Sequence, residues 1–159
     1  MAPVRKQRSR QPDPELHLDP ALVAALTTAG QRLTRHRASV IVALLTADRP
    51  LTVDDVVAAA DVPLSTAYRN LTELCDAGVA TRVNSTDRAD RFELTEMFSR
   101  RHHHHHLICT QCGSVADFDT SASLEKAIAK ELAAVGGSST FVASGHVFDI
   151  LGRCDECGG

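Results

Sequence analysis

His102-His103-His104-His105-His106-Leu107-Ile108-Cys109-Thr110-Gln111-Cys112 is the stretch on which the reading of this chain turns, and Cys154-Asp155-Glu156-Cys157 near the C-terminus completes it. Each Cys-x-x-Cys pair presents two thiolates from one tight turn. Two such turns brought together make a closed four-sulfur cage suited to tetrahedral Zn²⁺. Disulfides are the weaker reading, because the N-terminus runs Met1-Ala2-Pro3-Val4-Arg5-Lys6 with no apolar signal segment, so a reducing cytoplasm is expected. A thioredoxin-like site needs one catalytic Cys-x-x-Cys in a βαβ setting, and here there are two. Cys109, Cys112, Cys154 and Cys157 are therefore expected to hold a structural zinc.

The histidines in front of the first pair carry a second message. In an extended strand side chains alternate, so His104 and His106 share one face while His103 and His105 share the other. One strand can thus feed two separate metal sites. A purification tag or a merely solvated tract are the bland readings, but tags sit at termini and this run flows directly into Leu107-Ile108-Cys109.

Working outward, the chain has 159 residues, enough for one domain or two small ones, and its 43% hydrophobic content supports a core. It has no Trp and one Tyr, so aromatic anchors are few and a metal staple would help a small domain. The net charge is −3, unevenly shared: residues 1–83 carry ten Lys/Arg against nine Asp/Glu, residues 84–159 seven against eleven. A near-neutral N-terminal half excludes a bulk polyanion binder, so any nucleic-acid contact needs a local patch. No apolar stretch approaches a membrane span.

Residues 1–18 are polar and basic at Arg5, Lys6, Arg8 and Arg10, and read as a mobile arm. Asp19-Pro20 opens a helix closed by Gly30; Thr34 starts a second; Thr52 with Asp55 forms a capping box for a third; Ser65 caps a fourth, ended by Gly78. The fourth helix turns Ala67, Leu71, Leu74 and Cys75 inward and leaves Ser65, Thr66, Tyr68, Arg69 and Thr72 outward, with Asn70 between the faces. Those outward groups reach phosphates and base edges. Strands at 79–83 and 91–94 follow, with Arg82 and Arg88 placed for phosphate contacts. This order predicts a winged helix-turn-helix over residues 19–94, against the blander small helical domain with a stray hairpin. Residues 95–101 read as a hinge. Residues 102–159 read as a small α+β unit: strands at 102–109 and 115–118, a helix over 123–135 stopped by Gly136-Gly137, and strands at 141–143 and 146–151.

Taken together, Ser65-Thr66-Ala67-Tyr68-Arg69-Asn70-Leu71, Phe92-Glu93-Leu94-Thr95, the histidine run leading to Cys109-Thr110-Gln111-Cys112-Gly113, and His146 followed by Gly152 and Cys154-x-x-Cys157 resemble the ferric uptake regulator family over about residues 20–157. The resemblance implies an N-terminal winged helix that binds operator DNA and a C-terminal dimerisation domain, with the four-Cys zinc structural and a divalent metal as corepressor. It assigns His103, His105, Glu125 and His146 to a site within the dimerisation domain. It assigns Glu93, His104 and His106 to a regulatory site at the domain junction. The family's further ligand before the third helix has no counterpart in Asp48-Arg49-Pro50-Leu51, which leaves either His102, Asp48 or His36 to complete that site or the site incomplete.

The expected function is a cytoplasmic, homodimeric, metal-dependent repressor of operator DNA that takes no small organic substrate. Zn²⁺ is favoured as corepressor on the affinity order, with Fe²⁺ sensing or peroxide sensing as the alternative. A zinc hydrolase would keep an open coordination position and a carboxylate base, often on a His-Glu-x-x-His helix, and the sequence has no such motif. A metal store would bind the ion without regard to DNA.

Overall fold

Asp19 opens the first helix, α1 (Pro20–Thr28), its carboxylate accepting the Ala21 amide at 2.8 Å ahead of Pro20. In this computed structural model residues 18–87, 89–99, 103–138, 140, 142–143 and 145–158 are described. The basic arm, apart from Leu18, and also Arg88 and His102, lie outside them. Thr34 caps α2 (Arg35–Thr46) through the Arg37 amide. Thr52 and Asp55 make the expected reciprocal capping box on α3 (Val53–Ala60). Leu51–Thr52, just before it, forms a short β1 that sequence pattern did not reveal, since two residues carry no periodicity.

The turn into α4 (Leu64–Asp76) corrects one expectation. Asp61 closes α3 in the left-handed region at φ 51°, and Pro63, not Ser65, is the N-cap of α4, with no side-chain cap bond. Ser65 lies within the first turn instead. Gly78, at φ 67°, ends the helix where its amide reaches the Cys75 carbonyl and that of Val79 reaches Leu74.

Leu22, Leu26, Val40, Ile41, Val56, Leu71, Leu74 and Val79 fill a single core between these helices and the wing. Cys75 packs half-buried against it. Asn70 does not lie between the faces: it is buried at 3% exposure, because the buried guanidinium of Arg37 needs an acceptor there. Arg37 Nε donates to Asn70 Oδ1 at 3.2 Å, Nη1 donates to the Arg32 carbonyl at 2.6 Å, and Nη2 pairs with the Glu73 carboxylate. Asn70 Nδ2 in turn donates to the Thr66 carbonyl at 2.8 Å. This network fixes α4 against α2 and leaves Tyr68, Arg69 and Thr72 on the exposed side of the helix.

The wing is β2 (Ala80–Val83) paired antiparallel with β3 (Arg91–Leu94), and β1 adds to the other edge of β3 to give the order β1-β3-β2. The C-terminal sheet has the order β5-β4-β6, from β4 (His105–Cys109), β5 (Val115–Phe118) and β6 (Asp149–Gly152). β4 runs antiparallel to β5 and parallel to β6. Between them α5 (Ala122–Ser138) runs past the point where Gly136-Gly137 were expected to stop it, and α6 (Asp155–Gly158) carries the last cysteine. β4 begins at His105 and β6 at Asp149, both shorter than expected. Val142 and Ala143 form no strand, and Phe141 lies outside the described residues. The molecule is α+β: a winged helix-turn-helix followed by a small α+β domain with a four-cysteine cluster.

Wing and C-terminal sheet touch at the first cysteine turn. Val83, Ile108 and Val115 form a small buried cluster, and Thr86 Oγ1 donates to the Cys109 carbonyl at 2.6 Å. Gly113, at φ 70°, could not carry a side chain, since a Cβ there would collide with the Asp87 carboxyl group.

Candidate metal centres

Among the described residues three groups of metal-ligating side chains converge, each with one donor atom per residue and all donors of a group within 4.8 Å of one another. The first is Cys109, Cys112, Cys154 and Cys157, brought together because β4 pairs Cys109 with Gly152 and so lays one turn beside the other. Cys112 Sγ and Cys154 Sγ are 3.6 Å apart. Amides of Cys112, Cys154 and Gln111 point at Cys109 and lower its thiol pKa to about 6, while hydrogen bonding to Cys112 and Cys154 pushes Cys157 up to about 12. Backbone amides thus favour the Cys109 thiolate, whereas Cys112 and Cys157 are held toward the thiol, which a bound cation would reverse. Four sulfurs and no carboxylate fit a closed zinc site.

The second group is His103, His105, Glu125 and His146. His105, buried at 3% exposure, places Nε2 2.8 Å from Glu125 Oε1. His103 Nε2 and His146 Nε2 are 3.2 Å apart, and each lies 3.6 Å from Glu125 Oε2. Hydrogen bonds from Thr120, then His105, hold the Glu125 carboxyl below its usual pKa. On the outer side, His103 Nδ1 meets the Glu96 carboxylate. Three nitrogens and one carboxylate suit zinc or another first-row divalent ion.

The third group joins the two halves of the molecule. Glu93 comes from wing strand β3, while His104 and His106 come from the strand β4 region. His104 Nε2 and His106 Nε2 lie 3.1 Å and 3.4 Å from Glu93 Oε2. Asp117 on β5 completes the cluster, since its register partner on β4 is His106. Neither Asp48 nor His36 enters any of these groups. Asp117 was missed because strand register is non-local. The one available signal was a carboxylate inside an otherwise apolar strand. Burial would raise the Glu93 pKa, but bonds and charge from His106 and His104 outweigh it and leave the group lowered. Burial would likewise lower His106, and Glu93 followed by Asp149 raises it instead. Both histidine faces open onto one cleft of about 450 Å³ between the wing and β4–β6, which gives an ion a path in.

At the far end of the wing domain, Ser65, Tyr68, Arg69 and Thr72 are exposed on α4, with Thr66 half-buried beside them. The Tyr68 ring is 51% exposed. Arg82 on β2 is exposed as well.

Comparison with known proteins agrees with this architecture. Residues 28–140 match the Ferric uptake regulator family. The peroxide-responsive repressor PerR of Staphylococcus aureus is 28% identical over 141 residues, 85% of this chain and 88% of that protein. Among solved structures, the ferric uptake regulator of Vibrio cholerae superposes with a TM-score of 0.63 at 28% identity, over 83% of this chain and 98% of that one. The Pseudomonas aeruginosa ferric uptake regulator with manganese gives 0.65 at 28% identity, over 83% and 96%.

Proposed function

The chain belongs to the ferric uptake regulator family and is a metal-responsive transcriptional repressor, and on that premise we propose that its switch is the cluster of Glu93, His104, His106 and Asp117. The observation that carries this reading is that the cluster spans the winged helix and the C-terminal sheet, whereas the other two groups draw no ligand from the wing strands. A bound divalent ion supplies the positive charge that lets two carboxylates and two imidazoles share one point. Glu93 then holds β3, and with it the wing and α4, at a fixed angle to the C-terminal domain. In a homodimer that angle sets the separation of the two α4 helices, and a match to half-sites about one DNA turn apart permits binding. A hundredfold gain in operator affinity requires the ion to favour the gripping arrangement by about 3 kcal/mol, within the usual range for coupled sites.

In this reading residues 19–94 bind DNA, 95–101 are the hinge, and 102–159 dimerise and bind metal in the cytoplasm. Arg69 and Tyr68 approach base edges, while Ser65, Thr66 and Thr72 approach phosphates or neighbouring bases. Cys109, Cys112, Cys154 and Cys157 hold a structural zinc, and His103, His105, Glu125 and His146 a second ion within the dimerisation domain. Ile150 and Leu151 on β6 and Leu107 on β4 remain 41–62% exposed, an apolar surface that a second copy would cover. Zn²⁺ is the favoured corepressor on affinity. Asp117 gives a specific reason to keep Fe²⁺ as the second reading, since two histidines with carboxylates also describe non-haem iron sites, and one relative bears the name peroxide-responsive repressor.

Operator affinity titrated with Zn²⁺, Fe²⁺ and Mn²⁺ tests the proposal. Affinity should rise with one of these ions and fall with chelator. Arg69→Ala should weaken binding by about 1–3 kcal/mol without changing metal affinity. A dimer whose DNA affinity ignores both ion and chelator would contradict it.

A further inference from the structure

Asp149, the first residue of β6, is the register partner of His106 in the parallel β4–β6 pair, as Asp117 is in the antiparallel β4–β5 pair. One transverse row of the sheet therefore reads Asp117, His106, Asp149. The His106 ring divides that row. Its Nε2 faces Glu93 at 3.4 Å and Asp117 at 3.9 Å, whereas its Nδ1 faces Asp149 Oδ1 at 3.4 Å. The Asp149 side chain is 22% exposed, and its Oδ1 is buried with no hydrogen-bond partner among the described residues, so that His106 Nδ1 at ion-pair distance is the group it faces.

A neutral imidazole carries one ring proton, and whichever nitrogen holds it cannot bind a metal. A carboxylate against Nδ1 keeps the proton there and leaves the Nε2 lone pair free. We propose that Asp149 is a positioning residue for the regulatory ion: it fixes His106 as the Nδ1–H tautomer, aims Nε2 at Glu93 and Asp117, and does not itself ligate. The proposal rests on the reading of Glu93, His104, His106 and Asp117 as the switch. Its consequence is that β6 takes part in regulation. The same segment carries His146 before Asp149 and Cys154 after it, so three metal clusters depend on how one strand lies.

The test uses full-length protein with its cage zinc, in a His103→Ala background that silences the second site, titrated with Co²⁺ and followed by its visible spectrum. Asp149→Ala should weaken Co²⁺ binding by roughly tenfold to a hundredfold, and Asp149→Asn, which keeps an acceptor oxygen, by less. Nitrogen-15 shifts of His106 in the Co²⁺-free protein should move from the Nδ1–H form in the parent toward the Nε2–H form in Asp149→Ala, a change that loss of packing alone would not produce. His104→Ala serves as the control for the site itself. If His104→Ala loses Co²⁺ and Asp149→Ala keeps parental affinity and tautomer, the positioning role is overturned. If His104→Ala also binds like the parent, the switch reading has failed first, and this inference with it. Should Asp149→Ala shed its cage zinc, Asp149→Asn decides: weaker Co²⁺ binding with zinc retained supports the role, and unchanged binding overturns it.

Discussion

In the N-terminal half Leu22, Leu26, Ile41, Leu71 and Leu74 are each at most 2% exposed, around one apolar core. From residue 103 onward the buried apolar residues among those described are Ile108, Cys109 and Val115, while Leu107, Ile150 and Leu151 face solvent. The first region is held by burial of hydrocarbon, which needs nothing but water to drive it. The second has too little core for its size and converges instead on sulfur, imidazole and carboxylate groups. On the proposed function its folding is tied to ion binding and to a covering partner. On the proposed function the same division suits a switch: a well-packed reader of DNA is joined to a unit whose shape depends on what it has bound.

The sharpest way to break this contrast is to open the cage. Cys109→Ser removes one of the four sulfurs, and structural zinc in small domains contributes on the order of 10 kcal/mol to folding. The variant should lose its zinc and its dimer by sedimentation, yet keep the cooperative melting of the winged helix by circular dichroism. A folded, dimeric, zinc-free variant would erase the distinction between the halves. The converse change is Leu71→Ala at 0% exposure in the core. It should cost about 2–5 kcal/mol in denaturant unfolding of the winged helix, with zinc content unchanged. Zinc loss in parallel would mean that the two halves fold as one.

How far each half could be read beforehand follows from the same physics. Helix ends in the N-terminal half depend on neighbours two or three residues away, so Asp19, Thr34 and the Thr52–Asp55 box were legible. Asn70 was not, because its partner Arg37 lies 33 residues distant and only packing reveals the buried guanidinium. Ser65 was misplaced because Asp61 takes a left-handed turn that starts the helix earlier at Pro63. In the C-terminal half, ligand spacing announced the cysteines, and strand alternation sorted the histidines into two faces. Asp117 and Asp149 stayed hidden, since each reaches His106 through strand register and not through proximity in sequence. The continuation of α5 through Gly136-Gly137 also went against local propensity, by which glycine disfavours but does not forbid a helix.

The smallest effect concerns the place where the two halves touch. Hydrogen bonds from Arg91, then Ser85, hold the Asp87 carboxyl far below its usual pKa. A lowered carboxylate stabilises the fold above its unfolded value near 4, and that contribution fades as pH falls toward the folded value. Asp87→Asn should therefore flatten the loss of stability between pH 4 and the acid limit while changing little at pH 7 beyond a surface-pair effect, as read from melting temperature across pH. An unaltered acid profile would show that the wing tip adds nothing at the junction.

The central claim is that an ion shared between wing and sheet sets operator affinity, and Glu93→Gln tests it most directly. Operator binding should be measured for this variant and the parent across a titration of the activating metal, with cage zinc and dimer state monitored in both. The account predicts a zinc-bearing dimer whose DNA affinity stays at the metal-free level at every ion concentration that activates the parent. Parental metal-dependent binding by Glu93→Gln would contradict it.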